Sequence, residues 1–159
     1  MQHLLTSLLA AFAPACYPPP VDAPVTLPFV APACAYCPGH RGLEYGVSPG
    51  TQVRAVSGGV VRFSGVVAGT RYVVVLQDDG LVATYGDLDR AARRAGDTVH
   101  RGETVGTSTA TVSFGLRDGE RYLDPAPRLG RWKRRPRLVP SGDRVARPGR
   151  PPTLQCTAR

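Results

Sequence analysis

An all-β fold, a small antiparallel sandwich or partly closed barrel, is what this sequence predicts, on three observations. Short β-branched runs recur every ten or so residues. Glycine (18) and proline (16) punctuate them densely, which suits turns and argues against a helical bundle. Two tight-turn dipeptides, Asp79-Gly80 and Asp118-Gly119, each lie between strand-like runs, the strongest local signal for a hairpin. With 159 residues, 42% hydrophobic and 20% charged, the chain has room for one ordinary domain plus tails.

Residues 1–15 read as a signal peptide. The apolar run 4–13 (LLTSLLAAFA) is too short to span a bilayer as a helix, and Ala13-Pro14-Ala15 offers small residues for cleavage before Cys16. Met1-Gln2-His3 lacks the usual basic residue. A cut there also raises a lipid anchor at Cys16, which Pro14 fits poorly. The chain is therefore expected to be exported, to the cell envelope or beyond, with no transmembrane span. Residues 16–27 are Pro-rich and read as an extended linker.

The core is expected over residues 28–130. Strand-like runs lie at 53–56, 60–63, 72–76, 81–85, 112–117 and 121–123. Residues 88–95 are the one stretch that reads as helical, two turns at most, with Asp87 as its cap. Residues 96–106 carry glycines and valines at fixed offsets and read as a turn-dense β segment, since no strand-to-helix context makes them a phosphate loop.

Residues 131–159 form a basic tail, expected to be disordered. It holds nine Lys or Arg against Asp143, so it accounts for the whole net charge of +8, and the other 130 residues balance. The run Arg131-Trp132-Lys133-Arg134-Arg135-Pro136-Arg137 has the look of a single-stranded nucleic-acid binder. In an exported protein, a wall polyanion or anionic lipid surface is the favoured partner over nucleic acid.

Four cysteines in an oxidising compartment should pair, and three connectivities are open. Cys34 and Cys37 can close a small loop, leaving Cys16 with Cys156. The competing reading is a C-x-x-C-x-x-H metal site with His40, which lacks a fourth ligand at finger spacing. A biotinyl or lipoyl carrier is discarded, because the sole lysine is Lys133 in the tail.

The order of the core pieces resembles the lysostaphin/LytM-type zinc endopeptidases, peptidase family M23, which cleave peptidoglycan cross-bridges. The matching residues are His40-Arg41-Gly42-Leu43-Glu44, Gly50-Thr51-Gln52-Val53-Arg54-Ala55 and Gly58-Gly59-Val60-Val61. They continue as Tyr85-Gly86-Asp87-Leu88, residues 96–106, Thr111-Val112-Ser113-Phe114 and Asp124-Pro125. The resemblance implies a LytM-like antiparallel core and a zinc held by the His and Asp of an H-x-G-x-D motif and the second His of H-x-H. Here those ligand positions hold His40, Glu44 and Ser113. The family's two catalytic histidines fall on Asp87 and Thr111.

A catalytic zinc needs three protein ligands and one open position for water. One imidazole and one carboxylate leave that set short, and without a held metal no activated water forms. The expectation is a degenerate member with no cofactor and no catalytic residues. Its implied partner is peptidoglycan, or another wall hydrolase that it regulates. The alternative is an active zinc endopeptidase with a rearranged site. The bland alternatives are a surface His40 in a glycine turn, a Glu44 that is solvated or paired with Arg41, and Tyr45, Tyr72, Tyr85 and Tyr122 as core or rim aromatics.

Overall fold

The computed structural model describes residues 16–34, 37–133 and 151–156. Eleven strands occur in them: β1 (Val25–Leu27), β2 (Leu43–Gly46), β3 (Gln52–Arg54), β4 (Gly59–Val67), β5 (Thr70–Gln77), β6 (Val82–Ala91), β7 (Thr98–Val99), β8 (Thr104–Asp118), β9 (Arg121–Leu123), β10 (Arg131–Lys133) and β11 (Thr153–Gln155). A single 3₁₀ turn spans Ala126–Arg128. Nine strands make one antiparallel sheet in the order β1-β2-β8-β6-β5-β4-β7, with β3 and β9 also on β8. The expected all-β antiparallel core is therefore present.

Local chemistry explains the hairpins. Gly80 sits at φ +85° between β5 and β6, and Gly119 at φ +56° between β8 and β9, a region glycine enters without steric cost. Alternation then decides the faces. Along β5, Val73, Val75 and Gln77 are buried while Tyr72, Val74 and Leu76 are only half-buried. Along β8, Val112, Phe114 and Leu116 point into the core and Ser113, Gly115 and Arg117 to the other side. The rings of Tyr85 and Phe114, both fully buried, pack at 5.4 Å between centroids, a tilted arrangement favoured by aromatic quadrupoles.

Three expectations need correction. Residues 88–91 continue β6 as strand: Leu88 pairs with Ser108, Arg90 with Thr107 and Ala91 with Gly106. Pairing with a full-length neighbour outweighs the weak helical preference of so short a segment. Asp87 accordingly caps no helix. It sits at φ +59° where the β6–β8 register shifts, a left-handed conformation that Asp tolerates better than most residues.

The segment 16–27 is no free linker. Tyr17 and Val21 are each 4% exposed and belong to the core, and β1 pairs with β2. Tyr17 exchanges main-chain hydrogen bonds with Arg128 and Gly130, and its hydroxyl donates to the Asp79 carboxylate. Prolines fix backbone angles but leave the intervening apolar side chains free to bury, so composition alone misses the packing. Of the basic tail, residues 131–133 and 153–155 pair as a two-stranded ribbon. The rest of the tail, 134–150 and 157–159, and the expected signal peptide 1–15 lie outside the described residues. No helix among the described residues is long and apolar enough to cross a membrane.

Candidate functional site

The outer face of β2, β8, β6 and β5 carries the family-motif positions. Register sets Glu44 opposite Ser113, and Ser113 opposite Gly86. The β5–β6 register, continued one pair beyond Val73 and Tyr85, brings Tyr72 across from Gly86. Gly86 leaves room there, since a Cβ at that position would lie 2.3 Å from Ser113 Oγ and 2.6 Å from the Tyr72 ring. The next row on the same face is Gly115 and Thr84. Beneath this face lie the phenols of Tyr45 and Tyr85, both held neutral well above their ordinary range by burial.

A cavity of about 360 Å³ opens on this face. His40, Arg41, Gly42, Tyr72, Ser113 and Arg117 are among its lining. Two glycines let the walls close up. A Cβ on Gly42 would meet the Phe114 carbonyl oxygen at 2.4 Å, and one on Gly115 would meet the Arg41 carbonyl at 3.3 Å. The chain before β2 is thus pressed against β8, which carries Arg41 to the groove. Its guanidinium donates to the Cys37 carbonyl at 3.3 Å and lies 5.5 Å from the centre of the Tyr122 ring.

His40 is fixed rather than adrift. It exchanges two main-chain hydrogen bonds with Val30, and its Nδ1 lies 2.8 Å from the Pro28 carbonyl. A carbonyl only accepts, so Nδ1 carries a proton and donates it to this bond. This is how proteins orient metal-binding histidines. The rest of a ligand set does not follow. Glu44 accepts from Thr26 Oγ1 at 3.5 Å, and the third position is a serine hydroxyl. Among the described residues no three His, Cys, Asp or Glu side chains converge. A neutral hydroxyl is a poor substitute for imidazole, so the residues present do not fit a three-ligand zinc.

The structure brings His40 and Ser113 to one cavity and sets Glu44 beside Ser113 across β2 and β8. Asp87 and Thr111, which the resemblance aligns with catalytic histidines, are not in the cavity lining. Thr111 pairs with Gly46 at the far end of β2, and the Asp87 carbonyl accepts from Thr109 Oγ1 at 3.0 Å. Cys34 and Cys37 are bonded to each other, and Cys16 to Cys156, which removes the thiolates that a C-x-x-C-x-x-H metal site would need. Tyr45 and Tyr85 are core residues, whereas Tyr72 and Tyr122 stand at the groove. Arg41, Arg117 and the two groove tyrosines were not legible as a set. Arg117 and Tyr122 are paired across the β8–β9 hairpin, but Arg41 and Tyr72 come from distant segments that nothing local marks as their neighbours.

No curated protein sequence matches the chain. Solved structures share its fold. Csd3 of Helicobacter pylori superposes with a TM-score of 0.63 at 22% identity, covering 72% of this chain and 35% of Csd3. The catalytic domain of the prophage-encoded protein EnpA from Enterococcus faecalis gives 0.57 at 25% identity, covering 69% of this chain and 95% of that domain. Lysostaphin gives 0.60 at 19% identity, with 72% and 53% covered. The chain thus spans about a third of the length of Csd3 and about half of lysostaphin. The model of Peptidase family M23 matches residues 38–125, more than half of the chain and the stretch that holds the whole of the groove described above; with the antiparallel core and the ordered motif positions, this places the chain in Peptidase family M23.

Proposed function

We propose that this protein is a non-catalytic member of its family, a domain that binds peptidoglycan or regulates a wall hydrolase through the retained groove. The observation that carries the reading is Ser113 standing where the third ligand belongs, directly opposite Glu44. A full ligand set contributes roughly 10–16 kcal/mol of apparent binding free energy at structural zinc sites, and loss of one ligand forfeits a large part of such affinity. The groove itself is intact, with a glycine-lined floor and ordered walls. A solved complex of SpoIIIAH with SpoIIQ shares the fold at a TM-score of 0.60 and 19% identity, which supports a protein partner as a second ligand class.

Export is part of the same proposal. It is supported by the apolar run at residues 4–13 and by four cysteines that all form disulfides. The sulfur of Cys16 is bonded to Cys156, and one sulfur cannot hold both a disulfide and a lipid thioether, which speaks against a lipid anchor there.

The test is metal content and cleavage on the purified chain. After loading with zinc and dialysis, mass spectrometry should find far less than one zinc per chain, and purified sacculi should bind the protein without releasing muropeptides. Stoichiometric zinc, with cross-bridge cleavage that a chelator abolishes, would establish the active endopeptidase instead.

A further inference from the structure

We propose that the groove recognises a free carboxylate at the end of a short peptide, with Arg117 and Arg41 as the anion-binding side chains. This deepens the binding role proposed above and rests on it. The cavity lining contains two guanidiniums, one imidazole and two hydroxyl side chains from Ser113 and Thr84, and no Asp or Glu. Arg117 is only half-exposed, and among the described residues its side chain takes part in no hydrogen bond or ion pair. A half-buried guanidinium facing a cavity without a counter-charge selects for an anion, because a partner restores the interactions that partial burial has removed.

The position of Arg117 is fixed by its frame. It lies in β8 between Val82 of β6 and Tyr122 of β9, on the same face as Gly115 and Ser113. Arg41 reaches the same cavity from the chain before β2, its guanidinium over the Tyr122 ring. Stacking and the flat fork of donors hold a guanidinium in the geometry that takes a carboxylate two bonds at a time.

Shape favours a peptide end over a polyanionic chain. The cavity, about 360 Å³, is near the low end for small-molecule sites, so it holds one or two residues and not a repeating polymer. Tyr72 on β5 and Tyr122 on β9 flank the floor from opposite sides of the β8–β6 pair. Their rings offer apolar walls to the side chain or methyl group beside a terminal carboxylate. A phosphate polymer has no such apolar part to place there.

The experiment is fluorescence-polarisation binding of a dye-labelled tetrapeptide ending in alanine, as the free acid and as the C-terminal amide, with polyglycerol phosphate as competitor. The free acid should bind about ten times more tightly than the amide. Arg117→Gln should reduce that preference to threefold or less with the melting temperature unchanged, and Arg117→Lys should restore part of it. Equal binding of acid and amide, no peptide binding, or stronger competition by polyglycerol phosphate than by unlabelled peptide would overturn the proposal. Sacculus binding that persists without acid preference would sink the carboxylate site and leave the binding role standing. Zinc-dependent cleavage with acid preference intact would do the reverse.

Discussion

The phenol oxygen of Tyr85 accepts a hydrogen bond from the Val56 amide at 2.9 Å, and both residues are fully buried. Tyr85 opens the motif piece Tyr85-Gly86-Asp87-Leu88, and it serves as a core strut beneath the groove, whereas Asp87 stands where the resemblance sets a catalytic histidine. The scaffolding half of the motif and its chemical half have been separated.

Tyr85→Phe should leave the Val56 amide buried without a partner, at a cost of about 1–3 kcal/mol. Denaturant unfolding with an unchanged slope would show the loss as one of stability alone.

Restoring the ligand set is the sharpest test of why metal is not expected. Ser113→His supplies the missing third donor, and Glu44→Asp the shorter carboxylate of the family motif, beside an already oriented His40. Zinc affinity should rise on the order of 100-fold or more over the parent, read by competition with a chromogenic chelator. Equal, weak binding by both proteins would show that the groove geometry, and not the donor identity, sets the limit.

The bond between Cys16 and Cys156 closes a loop of sequence separation 140, whereas Cys34–Cys37 spans 3. Loop-closure entropy makes the long one the greater stabiliser. Cys16→Ser with Cys156→Ser should cost about 2–5 kcal/mol, and the Cys34, Cys37 pair of serines well under half of that. Melting curves with and without reductant check both.

Alkaline stability follows from three tyrosines. Burial raises the phenols of Tyr45, Tyr85 and Tyr17, the last also through its hydrogen bond to Asp79. A group whose folded value lies above its unfolded value of about 10 stabilises fully below that pH and loses its contribution as pH rises beyond it. Thermal stability should therefore fall steeply above about pH 10. Tyr45→Phe should flatten that fall with little change at neutral pH.

Gly86 leaves room for Ser113 and Tyr72, two side chains that line the groove. Gly86→Ala would drive a methyl into Ser113 Oγ and the Tyr72 ring, and should weaken ligand binding about tenfold or more while leaving the hairpins intact. Backbone NMR shifts confined to β5, β6 and β8 would confirm a local effect.

The strands at 72–76 and 81–85 and the turn between them were legible in the sequence, because turn chemistry and period-two burial act over a few residues. The positions His40, Glu44 and Ser113 came from the family resemblance; sheet register sets Glu44 beside Ser113, and His40 and Ser113 line one cavity. Residues 88–91 became strand only because β8 lies alongside, and Tyr17 and Val21 entered the core only because the chain returns past Leu129. The charge and aromatic set of the groove was hidden most deeply. Arg117 and Tyr122 pair across one hairpin, but Arg41 and Tyr72 join them only through sheet register and glycine-permitted contacts between distant segments. Spacing along a chain encodes local conformation, and convergence across strands belongs to the folded sheet.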